Sequence, residues 1–472
     1  TFSQSARSMG EAFREIRREG IGKLLLYAAR QETLGVAVHY SMASVHGTTA
    51  NGRRMDFERN RQGWLDALED MGYQYRFVSS AQIEAGELEK GVKLLILPYS
   101  IAVGKAEAQA IRAFVQAGGV VVGDFQTGLM DEHCRSYDAG MLDDLFGIRR
   151  LTTDAEHFYV CEGFTVNPDF DYFNYELKHI PGKEEEIGPG VCFAEVGTRA
   201  RAGTAAYIDG FMNRVAAVVV NEHGAGKGVY LNFSLAEYPR LRKGTDGGAG
   251  VRDILRNVIA LADIKKPAGL YTADGKPYES GVESFYYSLG ENHVVAFQRE
   301  LDEEVEVNYD GLTVNRENSR PLDVQKVEIR FGGAWHIYDI RAKQYLGFGE
   351  KAQAGLQEGG TNLYALLNYR ALGLTLDVAG TVCAGTEAKL CAELKTEGAV
   401  PGQCVFAVNV YRPDGRYAPL YSINAAVQGT RLEHAVPFAL NDMPGMWRVE
   451  VKDVLTGVSA QAQVELVTEG EM

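Results

Sequence analysis

Cysteine is sparse in this sequence and never closely paired. Six occur in 472 residues, at Cys134, Cys161, Cys192, Cys383, Cys391 and Cys404, and no CxxC spacing is among them. The usual zinc-binding spacings are therefore missing, and a chain this long has apolar surface enough to fold without a disulfide framework. The six read as reduced core thiols; Cys383, Cys391 and Cys404 lie close enough in sequence to pair in an oxidising compartment. Long apolar runs are missing too: none approaches the roughly 18 residues of a membrane span. Positive charge is in deficit, with 48 Lys and Arg against 63 Asp and Glu and a formal net charge of −15. Such a surface repels phosphate backbones, which argues against nucleic acid as a partner but not against neutral sugars.

A methionine and a signal-peptide pattern are both missing at the start, Thr1. The first strong pattern is MGEAFREIRREGIGKLLLYAAR (9–30), read as one amphipathic helix. With nothing before it to pack on, it is expected to be the end of a preceding domain in an N-terminally truncated product. Address signals would have gone with the missing part, and the cytoplasm is the expected compartment.

What is present is hydrophobic patterning, in 46% apolar and 24% charged residues, which fits a globular chain of about three domains. From Leu34 to Ile264 strands and helices alternate. GVAVHYS (35–41), YQYRFVS (73–79), VKLLILP (92–98), VVVGDF (120–125) and GKGVYLNFS (226–234) read as strands. The helices are FERNRQGWLDALEDMG (57–72), KAEAQAIRAFVQAGG (105–119) and GVRDILRNVIALADI (250–264). This rhythm predicts an α/β domain with a parallel sheet and right-handed crossovers. A long insertion at about 150–215 contains the acidic run Glu184–Glu186, and a charge run of this kind reads as solvated loop. After Lys265–Pro267 the period becomes two. HVVAFQRE (293–300), EEVEVNY (303–309), VQKVEIRF (324–331), AWHIYDI (334–340) and NLYALLNY (362–369) predict a small antiparallel β domain. QCVFAVNVYRPDGRY (403–417) and GMWRVEVKDVLTG (445–457) predict a closing immunoglobulin-like sandwich. The expected division is 1–33 junction helix, 34–265 α/β domain, 266–378 antiparallel β domain and 379–472 sandwich.

The stretch from Gly35 to Ile148 carries GVAVHYSMASVHG, LEDMGYQYRFVS, VKLLILPYSIAVGKAEAQAIRAFVQAGGVVVGDFQTGLMDE and MLDDLFGI. In these it resembles the trimerisation domain of family 42 β-galactosidases. EAFREIRREGIGKLLLYAAR is similar to the junction helix after that family's (β/α)8 barrel, and KVEIRFGGAWHIYDIRAKQYLG to the small β domain that follows. The resemblance implies a non-catalytic, self-associating region, expected as a trimer, that completes the active-site rim of a β-galactosidase-like hydrolase. β-Galactoside-type carbohydrate would then be met only through the parent enzyme. The two catalytic glutamates of the family sit on the barrel, where hydrolysis needs two carboxyl groups at a set spacing. No catalytic residue is assigned on this chain, and no cofactor or metal is expected. The resembled domain is also similar in fold to class I glutamine amidotransferases, which place a cysteine nucleophile on a sharp turn after a strand. The matching turn here, Gly123-Asp124-Phe125-Gln126-Thr127-Gly128, has none, Cys134 is displaced, and only His223 lies in roughly the right region for a downstream histidine.

Ligands of parallel α/β sheets sit at the carboxyl ends of the strands. That makes His39, Tyr40, Ser41, Met42, Val45 and His46, with Asp124, Gln126 and Thr127, the candidates for a substrate rim or a subunit interface. Interface is the reading adopted. Asp131, Glu132, His133 and Cys134 are chemically suggestive, but four consecutive residues do not converge on one ion without a tight loop, so they read as solvated loop. Trp335, Tyr338 and Tyr345 could stack on sugar rings, although aromatics in alternating strands belong more often to a core. Two rival readings stay open: a stand-alone carbohydrate-binding or structural protein, and a hydrolase acting at the Asp124 elbow.

Overall fold

The computed structural model describes residues 4–156, 158–161, 164–167, 178–179, 185–187, 192–195, 197–208, 215–243, 248–301 and 322–468. It divides into two compact units: residues 33–266 with 279–282, and residues 1–32, 267–278 and 283–472. The architecture is mixed α/β with several sheets.

The second unit begins with α1 (Gln4–Arg17), shorter than the helix read from the sequence. Gly20, at φ 86°, breaks the chain direction, and the backbone resumes as a short turn and a π-helical stretch over Leu24–Ala28. A side chain on Gly20 would meet Val454 at 2.6 Å, so contact and left-handed backbone both call for glycine. The polarity of α1 is inverted relative to a core-packed helix. Met9, Phe13 and Ile16, at helical spacing, are 57%, 60% and 46% exposed. The charged side holds the chain instead: Glu15 pairs with Arg341 at 2.8 Å, and just beyond the helix Glu19 pairs with Lys343 and Lys452.

In the α/β unit the strands are β1 (Val36–His39), β2 (Arg76–Val78), β3 (Leu94–Leu97), β4 (Val120–Gly123), β5 (Thr204–Ile208), β6 (Ala216–His223) and β7 (Gly226–Leu231). β2, β1, β3, β4 and β7 run parallel in that spatial order. β1, β3 and β4 are buried at every position, as continuous apolar strands covered on both faces must be. The helices are α2 (Met42–Ala50), α3 (Arg54–Asp70), α4 (Lys105–Gln116) and α5 (Ala249–Ala260). One face of the sheet packs Trp64, Leu68, Leu255 and Ile259, the other Ile111, Val115, Leu145 and Phe146.

The described residues of the insertion include paired strands. Phe158–Cys161 pairs antiparallel with Cys192–Glu195, and β5 joins the main sheet beside β6. Of the acidic run, Glu184 lies outside the described residues, as do the side chains of Glu185 and Glu186 and of Cys161 and Cys192. The segment 303–309, read as a strand, is outside them as well.

The remaining strands of the second unit are antiparallel apart from one pair. β8 (Ala268–Tyr271), β9 (Val282–Leu289), β10 (Asn292–Arg299), β11 (Val324–Asp339), β12 (Gln344–Gln357) and β13 (Thr361–Leu367) build one sheet with Arg30–Gln31. VQKVEIRF and AWHIYDI, read as two strands, form the single strand β11. It bends at register shifts between Arg330 and Trp335 and between Ile337 and Tyr338. Then follow β14 (Tyr369–Val378), β15 (Thr381–Cys383), β16 (Glu387–Gly398), β17 (Gln403–Tyr411), β18 (Ile423–Gln428), β19 (Arg431–Pro437), β20 (Gly445–Asp453) and β21 (Ser459–Val467). They form a three-stranded sheet β14-β16-β19 and a five-stranded sheet β15-β21-β20-β17-β18, in which only β15 and β21 pair in parallel. Trp447 is fully buried between Phe438 and Tyr421, and its indole N–H donates to the Met443 carbonyl at 2.9 Å.

Candidate functional site

Parallel pairing brings the carboxyl ends of β1, β3 and β4 to one edge, with Val38 beside Ile96 and Leu97 beside Gly123. Strand order reverses direction between β1 and β3, where an open sheet of this kind offers a crevice. Here the protein's own side chains fill it.

His39 ends β1 and is 1% exposed. Its Nδ1 lies 2.9 Å from Ser100 Oγ, and its Nε2 lies 2.8 Å from Glu107 Oε1 and 3.1 Å from Ser80 Oγ. Glu107 stands in the first turn of α4, where its other oxygen accepts from the Gly104 amide at 3.3 Å. A carboxylate, an imidazole and two hydroxyls therefore meet at the head of the sheet. Glu107 and Ser100 sit on opposite ring nitrogens of His39, the connectivity of a catalytic relay, but His39 and Ser100 are each 1% exposed, so the hydroxyl is closed off from a substrate.

Beside it, Asp124 is fully buried. Asn60 Nδ2 and Trp64 Nε1 each donate to its Oδ2 at 2.7 Å, and the Tyr99 amide donates to its Oδ1 at 2.5 Å. Burial pushes its pKa up from 3.8 to about 7, against the lowering effect of these donors. The strained position of the turn is Gln126, at φ 60°, with Tyr99 at φ 43° in the neighbouring loop. Gln126 accepts from Tyr99 Oη at 3.1 Å and donates to the Ala155 carbonyl at 2.7 Å. Thr127 Oγ1 donates to the Asp124 carbonyl at 2.7 Å. A reacting atom at this elbow would thus meet an amide already engaged on both sides. The proposed Asp124 elbow is corrected in two respects: Gln126 carries the backbone strain, and Asp124 turns inward to tie α3 to the sheet. Arg150 extends the network by donating to the Thr127 carbonyl at 3.0 Å, pairing with Glu195 at 3.0 Å and hydrogen-bonding Tyr230 at 3.1 Å.

Of the nine rim or interface candidates, Met42 and His46 are exposed and Tyr40 is half-buried. His39, Ser41, Val45, Asp124, Gln126 and Thr127 are buried and cannot themselves face a neighbour or a sugar. The reason is helix α2, which the strand-end reading of these residues did not include. Ser41 caps α2 by accepting from the Ser44 amide at 3.0 Å, which turns Val45 inward onto Phe57, Tyr99 and Phe125. His223 ends β6 opposite Gly226, and β7 then starts beside Val120. It therefore sits at the amino edge of the parallel strands, opposite the elbow. The cluster 131–134 also disperses: Asp131 accepts from the His133 and Arg135 amides at 2.9 and 2.8 Å, and Cys134, at φ 61°, turns its thiol to the Ala43 carbonyl. Among the described residues no three His, Cys, Asp or Glu side chains gather as metal ligands, and no helix is long and apolar enough to cross a membrane. Tyr338 is buried, whereas Trp335 and Tyr345 are half-buried.

Sequence reasoning missed Ser80, Ser100, Glu107, Asn60, Arg150 and Glu195. Glu107 carried a legible signal, an acidic residue in the first turn of a helix. Asn60 and Trp64 lie one turn apart on α3, but nothing local marks them as donors to a carboxylate sixty residues away.

Residues 35–264 match the family model described as the β-galactosidase trimerisation domain. Among solved structures, the chain is similar to the β-galactosidase from Bacillus circulans sp. alkalophilus at 16% identity and a TM-score of 0.50, covering 74% of this chain and 44% of that one. The β-galactosidase from Rahnella sp. R3 is 17% identical at a TM-score of 0.46, over 71% of this chain and 41% of that one. At such identities the first likeness is one of fold, and this chain spans less than half the length of either enzyme. No curated protein matches. With its parallel sheet and its own side chains closing the strand-end crevice, the chain carries over residues 35–264 a domain that matches the β-galactosidase trimerisation domain.

Proposed function

We propose that this chain is the oligomerisation and active-site-rim region of a β-galactosidase-like glycoside hydrolase, with the catalytic carboxylates carried elsewhere than on these 472 residues. The observation that carries this reading is the filled crevice. The edge where a flavodoxin-like sheet would hold a ligand is occupied by His39, Asp124 and Gln126, each engaged by neighbouring side chains. What remains outward near that edge includes apolar Met42, 53% exposed, and Phe77, 48% exposed, beside exposed His46. A surface of that kind fits contact with another copy better than chemistry. The eight strands of the two C-terminal sheets fit an immunoglobulin-like sandwich that braces the assembly.

Sedimentation equilibrium of the full chain tests the reading. The expected result is a reversible trimer, whose contacts should bury about 1,200–2,000 Å² or more per interface. A strictly monomeric chain at high micromolar concentration would refute it. The same preparation is expected not to hydrolyse aryl β-galactosides, and turnover that survives repurification would return catalysis to this chain.

A further inference from the structure

The hairpin β11–β12 carries a row of rings on one face. His336 lies directly across from Phe348, and Tyr338 across from Tyr345. Ring centroids are 4.9 Å apart for His336 and Phe348, 6.0 Å for His336 and Tyr345, and 4.9 Å for Tyr338 and Tyr345. The row runs from fully buried Tyr338 to Phe348, which is 65% exposed. The exposure of Phe348 leaves its ring face open to solvent.

Polar groups border this row. His336 Nδ1 is 2.8 Å from Tyr345 Oη. If the phenol donates there, the imidazole proton resides on Nε2, for which no hydrogen-bond partner is found among the described residues. Burial and Arg370 lower the His336 pKa, which keeps the ring neutral at physiological pH, while Glu397 acts the other way. The Arg370 guanidinium lies 5.3 Å from the Tyr345 ring centre. Arg370 and Glu397 are cross-strand partners, both exposed, and do not come within ion-pair distance of each other. An open ring, a neutral imidazole, a guanidinium and a carboxylate thus share one patch.

We infer that the face formed by Phe348, His336, Tyr345, Arg370 and Glu397 binds a neutral saccharide. A pyranose has one face rich in C–H bonds, which covers an aromatic ring, and a rim of hydroxyls that both donate and accept. Phe348 receives the C–H face. Arg370 and His336 Nε2 donate to hydroxyl oxygens, and Glu397 accepts from a hydroxyl. A phosphate or sulfate ester would meet the Glu397 carboxylate on a chain of net charge −15, so the charges favour a neutral ligand. An apolar protein segment would strand the guanidinium and the carboxylate without partners. This assignment does not depend on the oligomeric state.

The test is saturation-transfer NMR on the full chain with lactose, cellobiose and β-1,4-galactotriose, each at millimolar concentration. The expected result is transfer to sugar C–H protons from at least one of the three. That transfer should fall fivefold or more in Phe348→Ala, fall similarly in Arg370→Ala, and return in Phe348→Tyr. Phe348 is exposed, so an unchanged thermal midpoint in the alanine variant will separate lost binding from lost fold. Absence of transfer from all three sugars, or transfer unaffected by Phe348→Ala, would overturn the proposal. So would concentration-dependent self-association abolished by Phe348→Ala, because the face would then belong to a second copy.

Discussion

Asp124 accepts hydrogen bonds on both carboxyl oxygens and is the residue through which α3, the β3 loop and the elbow are joined. Asparagine would match its shape but replace one acceptor with an N–H pair facing another donor. Asp124→Asn should therefore cost about 1–3 kcal/mol, the range for a buried polar group left unmatched. The pH dependence has a definite sign. The pKa in the folded protein, about 7, lies above the ordinary 3.8, so between these values the native state holds a proton that the unfolded chain has released. The group's contribution is complete below the unfolded pKa and is lost as pH rises toward about 7. Asp453, buried and pushed up to about 6, acts in the same direction, so the informative quantity is the difference between wild type and variant. Urea unfolding at about pH 5 and about pH 7.5 should show the Asp124→Asn penalty shrinking with pH. A penalty that does not change with pH would mean that Asp124 is ionised throughout.

Helix α3 supplies a case in which local propensity and packing disagree. Gly63 lies in its interior, where alanine would ordinarily gain about 1 kcal/mol. An added Cβ would sit 1.9 Å from the Leu235 carbonyl oxygen, which is backbone and cannot rotate away. Gly63→Ala should therefore destabilise the chain, by about 1–3 kcal/mol as overpacking does. Gly10, inside exposed α1, has nothing within 4 Å of its added Cβ, so Gly10→Ala should be neutral to mildly stabilising. The thermal midpoint should fall for Gly63→Ala and hold or rise slightly for Gly10→Ala. The same contrast explains what could be read from sequence. β1, β3 and β4 were legible because a strand covered on both faces is apolar at every position. α2 was not, because Gly47, Thr48 and Thr49 are poor helix formers, and its fold depends on the Ser41 cap and on contacts made by Val45. The turn after β4 was legible as an elbow from its glycines. Which way Asp124 and Gln126 would point was not, since Asn60, Trp64 and Ala155 come to them from elsewhere in the chain.

At the scale of the whole molecule, β2 is the last strand of its sheet among the described residues, paired with β1 on one side. Its Phe77 meets Tyr40 and Tyr75 edge to face, at 6.3 and 5.8 Å. Arg61 lies 4.9 Å from the Tyr40 ring centre, and exposed Met42 follows two residues on. An open strand edge with aromatic side chains is a natural meeting place for copies. Met42→Asp with Phe77→Asp should dissociate the oligomer, read as a fall to monomer mass in sedimentation equilibrium, without loss of secondary structure by circular dichroism. An unchanged mass would move the contact to another face and leave self-association standing. Val45, being interior, is unsuited to this experiment.

The inverted helix α1 has a consequence for how the protein answers to electrolyte. A net charge of −15 means that the folded chain repels itself, and added salt relieves that repulsion. The pairs Glu15–Arg341, Glu19–Lys343 and Glu19–Lys452 weaken under the same screening, while Met9, Phe13 and Ile16 offer no buried contact to replace them. One and the same additive should thus tighten the sheets and loosen the amino terminus. Trypsin digestion at about 0.05 M and about 1 M sodium chloride should show cleavage after Arg14 or Arg17 quickening as the global melting point rises. The terminus would behave as a tether held by ions on a body held by oil.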